Sequence, residues 1–127
     1  DARSKNDSEV FPVRGDDAAG DPEARSHQEF IRALFERSVQ TLRRELTVDG
    51  SESLFELFER YDLVHEDGLS YAQLARESGL TTTQVTNRLA RVRRRFREIA
   101  LDNLRALCGS DEEFHREARD VFGLEIV

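Results

Sequence analysis

The sequence predicts an all-α protein: a small helical domain containing a helix-turn-helix, with an extra C-terminal helix. Three observations lead there. From Pro22 onward there is no further proline, and apolar residues recur at three- and four-residue intervals, the spacing that lines one face of a helix. Ser26 with Glu29, Thr81 with Gln84 and Ser110 with Glu113 each have capping-box spacing at the start of such a run. Gly50, Gly79, Gly109 and Gly123 fall where runs end. At 127 residues there is room for one domain and a tail. Charged residues at 35% nearly equal hydrophobic ones at 38%, a balance that suits a soluble helical protein. No apolar run is long enough for a membrane span and no signal peptide is visible. Cys108 stands alone, so no internal disulfide forms, which fits a cytoplasmic location. The chain starts at Asp1 and has no Met, and so reads as a piece of a longer protein or a processed product.

Residues 1–25 read as a flexible acidic linker. They hold both prolines, Pro12 and Pro22, with Gly15 and Gly20, and too few apolar side chains to offset chain entropy. Their one apolar cluster, Val10, Phe11 and Val13, has a short docking motif as its alternative reading. A helix then follows from Ser26 to about Thr47, with Phe30, Leu34, Phe35, Val39, Leu42 and Leu46 on one broad face. Asp49 and Gly50 break it. Ser51 is placed to cap a second segment in which Leu54, Phe55, Phe58 and Tyr61 supply aromatic bulk. The stretch from Asp62 to Leu69 reads as a connection. It carries His65, but His27 and His115 lie in other elements, so the histidines read as scattered surface residues and no metal site is expected.

Ser70 then caps a short helix with Tyr71, Leu74 and Ala75 on one side, and Gly79 turns the chain. After the Thr81 cap, Val85, Leu89, Val92 and Phe96 form an apolar stripe within an arc of about 60° at about 100° per residue. Thr83, Asn87, Ala90 and Arg94 point directly away from it, flanked by Gln84, Thr86, Arg91 and Arg97. Two helices joined by a Gly-containing turn can place the second in the DNA major groove. The outer face suits that role: Asn and Gln pair bidentately with adenine, Arg with guanine, and Thr offers a hydroxyl or a methyl. Arg88, Arg91, Arg93, Arg94, Arg95 and Arg97 put six guanidiniums in ten residues without a carboxylate, in a chain of net charge −7. The plainer reading is a solvated surface or a docking face for an acidic protein.

The segment GLSYAQLARESGLTTTQVTNRLARVRRRFRE resembles region 4 of the sigma-70 family, in particular its extracytoplasmic-function branch. Leu69, Ser70, Tyr71, Leu74, Ala75 and Gly79 match the family's first helix and turn, and Val85, Arg88, Leu89, Arg91, Arg93 and Arg97 match the second helix. The resemblance covers Leu54 to about Ile99. It implies that the second helix reads the promoter −35 element while the domain holds the flap of the RNA polymerase core, with an anti-sigma factor as a further partner. Nothing in the chain resembles region 2, so promoter melting is not assigned to it.

Beyond Phe96 the helical pattern continues through Ile99, Leu104 and Leu107, implying a long helix or one that kinks near Asp102. Residues 26–109 thus read as the domain and residues 110–127 as a C-terminal extension. In that extension Phe114, Ala118, Val121 and Phe122 make a short amphipathic helix that completes the core or docks on a partner. The site expectation is that Thr83, Gln84, Thr86, Asn87 and Arg91 face base edges and that Arg88, Arg94, Arg95 and Arg97 hold phosphates. A second expectation, of a different class, is a helical interaction module that never reads DNA. There is no convergent nucleophile and base and no phosphate-cradling loop, so neither catalysis, cofactor nor small-molecule substrate is expected.

Overall fold

Pro22, rather than Ser26, opens the first helix. Asp21 stands before it as a cap, its carboxylate accepting from the Glu23 N–H at 3.1 Å, and proline is well suited to the first helical position because its missing N–H has no partner there. The structure, a computed structural model, describes residues 21–123; the docking cluster from Val10 to Val13 and most of the expected linker lie outside them. The described residues form five α-helices and no strand: α1 Pro22–Val48, α2 Glu52–Phe58, α3 Tyr71–Ser78, α4 Thr82–Leu107 and α5 Asp111–Phe122. No helix among them is long and apolar enough to cross a membrane.

Local chemistry accounts for most of the boundaries. Gly50, at φ 76°, lies in the left-handed region that ends α1 after Val48, and the Ser51 N–H reaches back to the Leu46 carbonyl at 2.7 Å. Ser51 precedes α2 as expected but makes no side-chain cap. Ser70 does cap α3, accepting from the Gln73 N–H at 3.1 Å, and Gly79 closes it at φ 70°. At the start of α4 the capping box is complete: Thr81 Oγ1 accepts from the Gln84 N–H at 3.0 Å and Gln84 Oε1 accepts from the Thr81 N–H at 2.9 Å. Thr81→Ala is therefore expected to lower the free energy of unfolding by about 0.5–2 kcal/mol, measured by urea denaturation. From Thr82, α4 continues without interruption through Asp102 to Leu107.

The chain divides into two compact units, one of residues 21–39 and 97–123 and the other of residues 40–96. In the first, Leu34, Leu104, Phe114, Ala118 and Val121 form a buried cluster. The C-terminal helix therefore completes a core with α1 and α4, and the boundary expected at residue 109 does not set it apart. Ser38 is fully buried there; it donates to the Leu34 carbonyl at 2.8 Å and accepts from Asn103 at 3.1 Å, so its hydroxyl is satisfied. In the second unit, Leu42, Leu54, Phe58, Leu74, Val85, Leu89, Val92 and Phe96 are all buried. The Phe58 and Phe96 rings lie 5.6 Å apart, which joins α2 to α4.

Candidate nucleic-acid interface

The apolar stripe of α4 from Val85 to Phe96 is withdrawn from water. Val85 and Leu89 have no exposed surface, and Val92 and Phe96 retain 2% and 1%. Burying one side of a helix this fully fixes which residues face outward. Thr83, Asn87, Ala90, Arg91 and Arg94 are all exposed, together with Gln84 and Thr86. Ala90 adds almost no bulk at the middle of this face. The turn from Gly79 to Thr81 and the capping box set where the face begins, two residues before Thr83.

Two of the outward residues are also engaged by the helix itself. Gln84 gives its side-chain carbonyl to the cap, which removes the acceptor half of a bidentate adenine contact. Thr86 donates its hydroxyl to the Thr82 carbonyl at 3.1 Å, leaving oxygen lone pairs and a methyl group for an incoming base. Among the described residues, Thr83, Asn87, Arg88, Arg91 and Arg94 make no side-chain hydrogen bond or ion pair. They are consequently available to a ligand without breaking anything.

The six-arginine run does not act as one positive surface. Arg93 is 8% exposed, and its guanidinium forms two hydrogen bonds with Asp62, at 2.7 and 2.8 Å. Arg93 lies about 70° from the centre of the apolar stripe, the same distance as Arg88 on the opposite flank, so the Asp62 carboxylate rather than helix angle alone selects it for burial. Burial works against its charge, but the bonds and the attraction of Asp62 more than offset that and hold it protonated above the ordinary arginine range. Asp62 is delivered by a feature absent from the expected connection. Residues Glu59–Val64 wind as a π-helical turn that continues α2, closed by His65 in the left-handed region at φ 64°. Tyr61 adds to the seat, with the Arg93 guanidinium 5.8 Å from its ring centre and the Tyr71 ring 4.8 Å away edge-on.

Arg95, expected on a phosphate, has a carboxylate partner instead. Its guanidinium binds Glu45 on α1 with two hydrogen bonds, at 2.8 and 2.7 Å. Those bonds hold the Glu45 carboxyl below the usual carboxylate range, against the opposing effect of its partial burial. The pair remains open to water, with 43% of the arginine and 38% of the glutamate side chain exposed, and such pairs contribute about 0–1 kcal/mol. Arg97 is half-buried and lies in the unit of residues 21–39 and 97–123. Arg60 ties the π-helical turn to α3 by binding Glu66 at 2.9 Å and Glu77 of α3 at 2.8 Å.

Thr83, Asn87, Arg91 and Arg94, with Arg88 at the edge, are thus brought together on one solvent-facing side. Asp62 and Glu45 are the residues that sequence reasoning missed. Each is a carboxylate far off in sequence, and helix position gave no signal for either, since Arg88 lies as close to the buried stripe as Arg93 and makes no ion pair among the described residues. Among the described residues no group of three His, Cys, Asp or Glu side chains converges to hold a metal ion. No family model, curated protein or solved structure matches the chain.

Proposed function

We propose that the unit of residues 40–96 is a helix-turn-helix DNA-binding module whose second helix, α4, enters the major groove and reads sequence. The observation that carries this is the two-sidedness of α4. Its apolar stripe is sealed in the core, while Thr83, Asn87, Arg91 and Arg94 face water with side chains able to bond base edges and phosphates, and Ala90 adds no bulk between them. Thr83, Thr86, Asn87 and Arg91 are the proposed base contacts, and Arg88 and Arg94 the proposed phosphate contacts. The excess acidity of the chain would keep the duplex away from other surfaces and leave non-specific binding weak. Following the resemblance to region 4, the proposed duplex is a promoter −35 element and the proposed partner is the RNA polymerase core.

Selection from a randomised duplex pool tests the reading: a consensus emerges if α4 reads bases. If the pool yields no consensus while an acidic polypeptide binds, the arginine face is a protein-docking surface. On the selected sequence, Asn87→Ala should cost about 1–3 kcal/mol and relax preference at a single base pair, measured by competition with point-substituted duplexes. Arg88 and Arg94 alone predict a slope of log affinity against log salt of about −1.8; a slope near zero would remove the phosphate contacts from the proposal.

A further inference from the structure

We infer that Glu45 is a built-in competitor of the DNA backbone, occupying in the free protein a third phosphate-binding position at Arg95. The inference rests on the reading of α4 as a duplex-binding helix and adds a control on its affinity. Gln84, Arg88, Arg91 and Arg95 fall at i, i+4, i+7 and i+11, so they form one row within an arc of about 60° along the edge of the outward face. Its three arginines share one chemistry but differ in state. Arg88 and Arg91 make no ion pair among the described residues, whereas Arg95, at the far end, grips a carboxylate from α1.

The geometry of that grip is the one a phosphodiester would take. A guanidinium offers a planar fork of N–H donors that fits two oxygens of a carboxylate or of a phosphate equally well, and Nε and Nη2 of Arg95 meet Oε1 and Oε2 of Glu45 in that way. Unlike the Asp62 partner of Arg93, which is 3% exposed, Glu45 keeps 38% of its side chain in water and can turn into solvent when its partner is taken. Arg93 is a structural cation and Arg95 an exchangeable one. The carboxylate both masks the guanidinium and repels the strand that would approach it.

The test uses the 127-residue chain, a randomised duplex pool and fluorescence anisotropy between 50 and 200 mM salt. Glu45→Gln should bind the pool more tightly than the parent and steepen the log–log salt slope by about 0.9, so that its advantage shrinks about three- to fourfold across that range. In an Arg95→Ala background the same Glu45→Gln change should leave the slope unaltered, which separates release of Arg95 from the general loss of a negative charge. Glu45→Ala serves as a second release variant, and circular dichroism establishes that each variant keeps its helices. If the parent binds the pool and neither Glu45 variant steepens the slope, the competitor role is overturned while the α4 reading stands. An equal gain with and without Arg95 overturns it as well. If parent and variants alike bind no duplex, both readings fail.

Discussion

Asp62→Ala is expected to lower the free energy of unfolding by about 3–5 kcal/mol, read from urea denaturation with helicity as the probe. The effect is large because the substitution does not merely delete an attraction. It leaves the Arg93 guanidinium, whose side chain is 10% exposed, without the carboxylate that accepts two of its hydrogen bonds. A buried cation without its counter-charge costs far more than a surface pair, and the residue cannot escape by losing its proton. Replacing both partners separates the causes. Asp62→Leu combined with Arg93→Met should recover much of the lost stability, because an apolar pair of similar volume removes both desolvation costs together. If Asp62→Ala shifts stability by no more than a typical exposed ion pair, the clamp between the π-helical turn and α4 is not a support of the fold.

Phe96→Ala should lower stability by about 3–5 kcal/mol as well, through a different mechanism. Its ring retains 1% of its exposure and lies 5.6 Å from that of Phe58, itself fully buried, so truncation opens a cavity between α2 and α4 that close-packed neighbours fill only in part. Double truncation with Phe58→Ala should cost less than the sum of the two single losses, since the rings share one contact. At temperatures where the variant stays folded, Asn87 and Arg91 are unchanged, so under the proposed function duplex affinity should fall only as far as α4 is displaced. Thermal unfolding and anisotropy on the same sample distinguish the two effects.

What could be read in the sequence was whatever is decided within one turn or two of the chain. The caps at Ser70, Thr81 and Ser110, the left-handed glycines and the seam from Val85 to Phe96 are local, and each stands where spacing placed it. The residues that changed meaning are those decided at a distance. Arg93 and Arg95 belong to one basic run, yet their partners lie 31 and 50 residues away, and spacing along a helix carries no information about the carboxylate another element will present. Gln84 is the reverse case. It could cap or read a base from the same position, and the cap takes the carbonyl, which accepts from the Thr81 N–H at 2.9 Å. The π-helical turn had no signal, since Glu59 to Val64 fits an ordinary helix end equally well by pattern. The C-terminal helix was legible as one that completes the core or docks on a partner, but its contact with Leu34 was not, because that contact joins opposite ends of the chain.

In the proposed function, the outward side of α4 is the surface that meets a duplex. Amide chemical-shift mapping of the chain, titrated with the duplex obtained by selection, tests it most directly. The largest shifts should fall between Thr82 and Arg94, centred on Thr83, Asn87 and Arg91, with the buried seam and α5 little changed. Shifts confined to other helices, or none at duplex concentrations well above the protein, would contradict it.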